Sequence, residues 1–169
     1  MGTSRRIFIS MGIIILAVLT ILVIDSFRRG GGLYRTLHEG KEKFTAACVP
    51  VYSGAAQPAN FCEADAAKLA MKSFVDKDES KKQEGWLLRD VVLLSVKKES
   101  LNPGTRVLVS SSSRGKKAEL SWNDVSSEAN MVILAPTKQG TLKLASVMKG
   151  LETRQQWVQD VDRIEIVRK

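Results

Sequence analysis

Cys48 and Cys62 are the only two cysteines of the 169-residue chain, and the thirteen residues between them, "VPVYSGAAQPANF", are small, turn-prone or apolar. Two thiols can close a disulfide, ligate a soft metal as thiolates, or act as small apolar side chains. A four-coordinate metal needs two further ligands, and the chain has no third cysteine and no histidine nearby; its one histidine, His38, lies beside the N-terminal apolar segment. A disulfide between Cys48 and Cys62 is therefore the expectation, with two unpaired thiols as the remaining possibility, and no metal site is expected. Closing a ring of this size stabilises a fold by about 3 kcal/mol in the loop-entropy view.

Other groups able to do chemistry are few. In "SSSSRGKK", Ser110 to Ser113 with Arg114, Lys116 and Lys117 offer hydroxyls and cations that could contact an anion or an acidic protein partner. The glycine spacing and the strand-to-helix setting of a phosphate-binding loop are missing, so a solvated hairpin tip accounts for the same residues. Arg89 and Asp90 read as a structural ion pair, and Trp86, Trp122 and Trp157 as core residues with their indole N–H groups satisfied. No Ser/His/Asp or Cys/His constellation can be assembled, and no pair of catalytic carboxylates stands out, so no catalytic residue is assigned.

The elements that must position these groups begin with a segment of another kind. Ile7 to Ile24, "IFISMGIIILAVLTILVI", is eighteen residues without a charge. As a helix it would span roughly 27 Å, close to the hydrocarbon thickness of a bilayer. It exceeds a signal-peptide core and lacks a small-residue cleavage site after it. Residues 1–29 are expected to form a single-pass transmembrane anchor. The membrane-proximal basic residues Arg28, Arg29 and Arg35 follow, together with the flexible Gly30 to Gly32. Counting cations on the two sides does not fix orientation. The short N-terminal tail and the cysteine pair favour export of the remainder to the periplasmic face.

The formal charge is +8, from 26 Lys and Arg against 18 Asp and Glu. Residues 1–43 hold seven cations against three acids and residues 44–169 hold nineteen against fifteen, so half the excess sits beside the anchor. That placement suits the lipid bilayer as a partner and gives no reason to expect nucleic acid.

Residues 30–61 read as a linker and cysteine-containing loop, because Pro50, Gly54 and Pro58 punctuate the stretch too often for a regular element. Residues 62–169 read as a soluble α+β domain: a small mixed sheet with two hairpins and a few short helices. "EADAAKLAMKSF" has Ala66, Leu69, Ala70 and Phe74 at helical spacing and predicts about three helical turns. "DKDESKKQEG" predicts a solvated loop, and "WLLRDVVLLSV" permits a helix or a strand. "TRVLVSSS" and "KAELSW" around "SRGK" predict one hairpin, and "MVILAP", "TKQG" and "TLKLASV" a second. Ser121 with Asp124 signals a short helix between them. A helical turn near Arg154 to Trp157 and a strand over Val161 to Val167 close the chain.

The succession "GWLLRDVVL", "VLVSSSSRGKKAELSWNDV", "NMVILAP", "GTLKLASV" and "WVQDVDRIEIV" resembles the sulfite-oxidase-type molybdopterin-binding domain over roughly residues 60–169. The positions carrying the likeness at the end of the chain are Gly140, Leu142, Leu144, Trp157, Val158, Val161, Ile164 and Glu165. Enzymes of that family hold molybdenum through a cysteine thiolate in a longer domain with a pocket rich in Arg, His and Asn. Here the cysteines precede the quoted elements and the sole histidine is His38, so the resemblance implies a small relative without cofactor. The expected role is a membrane-anchored, non-catalytic binding or accessory subunit of a larger respiratory or photosynthetic membrane complex. A membrane-tethered molybdopterin-dependent oxidoreductase is the alternative.

Overall fold

The structure, a computed structural model, describes residues 48–54 and 58–168, all within a compact unit that spans 42–169. The apolar segment, Arg28, Arg29, Arg35 and His38 lie outside the described residues. Among the described residues no helix is long and apolar enough to cross a membrane.

The described chain is a mixed α+β fold built on two sheets. The first contains β1 (Val49–Ser53), β2 (Ala59–Phe61), β5 (Arg106–Ser111), β6 (Lys116–Ser121) and β9 (Arg163–Val167) in the order β2-β1-β9-β5-β6. It is mixed because β1 runs parallel to β9, whereas its other neighbours are antiparallel. The second is antiparallel, with β3 (Met71–Val75), β4 (Lys82–Leu87), β7 (Ile133–Pro136) and β8 (Leu142–Ala145) in the order β3-β4-β7-β8. Three short helices interrupt the strands: α1 (Glu63–Ala66), α2 (Leu88–Ser95) and α3 (Trp122–Ser126).

Period-two alternation sets which face each strand buries. Val107, Val109, Ile164 and Ile166 are almost wholly buried, while Arg106, Leu108, Ser110, Arg163 and Glu165 take the other face. Along β7 all four residues are buried, so that strand is covered on both sides and reads as a continuous apolar run. Both expected hairpins are present. Ser112–Gly115 joins β5 to β6 with Gly115 at φ 58°, and Thr137–Thr141 joins β7 to β8 with Gly140 at φ 78°, positive values that glycine adopts without steric cost. Ser121 caps α3 by accepting the Asp124 N–H at 3.1 Å.

Four expectations are corrected. The helix anticipated over "EADAAKLAMKSF" is a single turn, α1, followed by strand β3 paired with β4 from Met71↔Trp86 to Val75↔Lys82. Its alanines supply helix propensity but little apolar area, and pairing with β4, which carries the buried Trp86, outweighs a weak local preference. The loop expected over "DKDESKKQEG" ends early, because Gln83 and Gly85 are buried and Lys82 and Glu84 exposed in β4. Part of the stretch assigned to a linker and loop is regular: β1 and β2 pair antiparallel and β1 also pairs with β9, so the first sheet draws on residues before 62. Consequently there are two sheets where one small mixed sheet was anticipated.

Gly85 shows how closely β4 and β7 approach. A Cβ there would sit 2.3 Å from the Leu134 carbonyl oxygen and 2.8 Å from the Ala135 Cα, both backbone atoms that cannot rotate aside. Gly85→Ala is expected to lower stability by roughly 2 kcal/mol, the strands parting to admit the methyl group. Chemical denaturation of wild type and variant measures it, and a loss below about 0.5 kcal/mol would show that the second sheet yields freely.

Candidate functional site

The register of the first sheet brings the chemically interesting groups to one end. Val51 lies opposite Ile164 in the parallel pair, Arg163 opposite Ser110, and Ser111 opposite Lys116. The start of β1, the start of β9 and the β5–β6 tip therefore share an edge of the domain. Cys48 and Cys62 meet there in a disulfide, with Cα atoms 4.4 Å apart. This is the expected pairing, and the hairpin geometry explains it. Val49 faces Phe61 in the antiparallel ladder, so the next pair outward is Cys48 and Cys62.

The tip residues do not converge on a shared anion. Arg114 Nε donates to Asp160 Oδ2 at 2.7 Å, and Asp160 Oδ1 accepts from Thr141 Oγ1 at 2.8 Å. Lys116 reaches back to the Gln155 carbonyl. The Ser112 N–H donates to Asp162 Oδ2 at 2.7 Å, and the Ser111 hydroxyl accepts the Arg114 N–H at 3.3 Å. Lys117 points to the opposite face from Lys116 and is exposed. Two of the three candidate cations thus fasten the hairpin to the segment before β9. The Arg114 guanidinium, helped by the Thr141 hydroxyl, holds the Asp160 carboxyl below its usual range. Sequence reasoning missed Asp160 as the partner. Its φ of 52° is a left-handed value that aspartate tolerates better than most residues, but nothing local in the sequence marks it.

The remaining candidates behave as scaffold. Arg89 Nε contacts Asp90 Oδ1 at 3.0 Å and its Nη2 contacts Glu128 Oε1 at 2.9 Å, tying α2 to the turn after α3. Trp86, Trp122 and Trp157 are buried, and the Trp157 indole N–H donates to the Leu151 carbonyl at 3.0 Å. Among the described residues no group of three or more His, Cys, Asp and Glu side chains is arranged to hold a metal ion.

Asp76 is the buried charge that the sequence did not flag. It is 2% exposed at the β3–β4 turn, where Oδ1 accepts the Glu79 N–H and Oδ2 accepts from Gln83 Nε2, both at 2.7 Å. The same turn grips the loop before Trp157: Arg154 pairs with Glu79, its N–H donates to Asp78 Oδ2 at 3.1 Å, and Lys77 meets Glu152 at 3.2 Å. Burial disfavours the Asp76 charge, yet the bonds from the Glu79 backbone, Gln83 and the Lys81 backbone outweigh it and lower the carboxyl from its ordinary 3.8.

A carboxyl lowered in the folded state adds stability above its unfolded pKa, and that stability disappears as pH falls through the folded value. The domain is therefore expected to lose stability as pH drops below about 4. Asp76→Asn should flatten that dependence and lower neutral-pH stability by about 1–2 kcal/mol. Thermal melts across acid pH check both, and an unchanged acid slope would remove Asp76 from the account. A scan against protein-family models and a search of curated proteins each give no match to this chain.

Proposed function

We propose that this chain is a membrane-anchored, non-catalytic accessory or binding subunit of a larger membrane complex of the respiratory or photosynthetic type, with its α+β domain on the exported, periplasmic face. The observation that carries the reading is the Cys48–Cys62 disulfide at the entry to the folded domain. Disulfides persist in oxidising compartments and are rare in the cytosol. Twenty-three residues separate its first cysteine from an apolar segment of membrane-spanning length, Ile7 to Ile24. An anchor of this kind raises the local concentration of the domain toward other proteins of the same membrane, which suits a binding role.

The likeness to the sulfite-oxidase-type molybdopterin-binding domain supports a scaffold relationship. Leu142, Leu144, Trp157, Val158, Val161 and Ile164 are all buried, so the shared positions do packing work. The molybdenum chemistry of those enzymes does not fit this chain. Both of its cysteines are used in the disulfide, which leaves no thiolate to ligate the metal. We derive no step through that cofactor.

Thiol labelling in intact cells, with and without prior reduction, tests the compartment, and a mild-detergent pull-down with mass spectrometry tests the partner. Expected results are maleimide labelling only after reduction, digestion of the domain by protease added outside spheroplasts, and co-purification of membrane-complex subunits in fixed ratio. Labelling without reduction, or a domain that stays protected from external protease once its partners are dissociated, overturns the exported placement. Stoichiometric molybdenum in the purified protein overturns the non-catalytic reading.

A further inference from the structure

We infer that two copies of this chain pair through the free edge of β6, joining their five-stranded sheets into one continuous antiparallel sheet about a two-fold axis at Ala118. This inference stands on the first sheet alone and does not depend on the membrane role proposed above. β6 ends the order β2-β1-β9-β5-β6, and among the described residues no strand pairs with its far side. Of the edges of that sheet it is the longer, six residues against three in β2.

Backbone alternation decides which residues of β6 offer hydrogen bonds to that edge. Arg106 lies opposite Ser121, so Trp122 is level with Thr105, and its N–H donates to the Thr105 carbonyl at 2.9 Å. In an antiparallel ladder the bonding residues alternate, so the even-numbered residues of β6 turn toward β5. The N–H and C=O groups of Lys117, Glu119 and Ser121 then face outward. A second β6 pairing with this edge must align odd residues with odd residues.

Charge selects one register among those that remain. An axis at Lys117 would set that lysine against its own copy, and an axis at Glu119 would set two glutamates together. Like charges directly opposite are destabilising and opposite charges stabilising. Only an axis at Ala118 puts Lys117 opposite Glu119 of the second copy and Glu119 opposite its Lys117. Within the domain the cross-strand neighbours of these two exposed residues are Ser110 and Leu108, so neither finds a counter-charge there. The axis itself falls on alanine, small enough for two strands to approach. Exposed strand edges are ordinarily guarded against pairing by charge. Here the alternating signs disfavour the registers centred on either charged residue and favour the self-complementary one.

The test uses the full chain in mild detergent, with association followed by sedimentation over a range of concentrations. Lys117→Glu alone and Glu119→Lys alone should each weaken the dimer by about ten-fold, and the double reversal should restore it. All three changes lie on the exposed face and leave the core untouched. In addition, Ala118→Cys should cross-link to its copy under mild oxidation, while Leu108→Cys on the neighbouring strand should not. A chain that stays monomeric at tens of micromolar overturns the inference. So does a dimer whose dissociation constant ignores the single reversals, or one that Ala118→Cys fails to cross-link.

Discussion

Trp157→Ala is expected to lower the stability of the folded domain by about 3–5 kcal/mol, the range for truncating a fully buried aromatic side chain. Trp157 is 0% exposed and is surrounded by elements distant in sequence. Phe74 of β3 meets its ring edge-on with centroids 6.3 Å apart, and the Lys143 ammonium of β8 lies 5.6 Å from the ring centroid. Its indole N–H donates to the Leu151 carbonyl at 3.0 Å, which closes the loop that Arg154 and Glu152 pin to the β3–β4 turn. Alanine therefore removes apolar burial and also leaves a buried carbonyl without its donor. Trp157→Phe removes the same hydrogen bond but keeps an aromatic ring in the site, so it loses less buried apolar surface than alanine does. Urea denaturation should rank wild type above Trp157→Phe and that above Trp157→Ala. A loss below 1 kcal/mol for the alanine variant would mean that the loop closes over the cavity without this side chain.

How much of this was legible beforehand depends on where each element draws its stability. The two hairpins after residue 105 were readable because each carries its own punctuation, a glycine at positive φ between β-branched or alternating runs. The cap on α3 was readable for the same reason, since Ser121 and Asp124 lie three residues apart. β3 was not, because five residues with one lysine and one serine among Met71, Phe74 and Val75 hold strand geometry only through β4 and Trp157. β1 and β2 were hidden by their prolines. Pro50 lies one residue before the pairing of β1 with β9 begins at Val51, a place where a missing N–H costs little, and no local pattern announces that. Around the hairpin tip the sequence named the cations but not their partners, because Asp160 lies 46 residues from Arg114. Asp76 escaped notice because an aspartate in a charged run looks solvated until the fold buries it.

Replacing Cys48 and Cys62 together by serine is expected to cost about 3 kcal/mol, the loop-entropy value for a ring of fifteen residues. The structure says where the loss will be felt. β2 has three residues, of which only Phe61 is buried, packed edge-on against Trp86 with centroids 6.0 Å apart. Its ladder with β1 has three residue pairs, and the disulfide sits at the fourth, directly beyond Val49 and Phe61. Short two-stranded ribbons are marginal in water unless something fixes their ends. Beyond the bridge, α1 starts with the Cys62 N–H held by Asp65 at 3.2 Å, so a released Cys62 also loosens that turn. In the double serine variant, and in wild type treated with reductant, amides of Ala59 to Ala66 should exchange with solvent first, while those of β5 and β9 keep their protection. Equal exchange across both sheets would mean that the bridge supports the whole fold cooperatively. A change below 1 kcal/mol with β2 still protected would mean that Phe61 alone holds the strand, and the cysteine pair would then lose its structural reason for being oxidised.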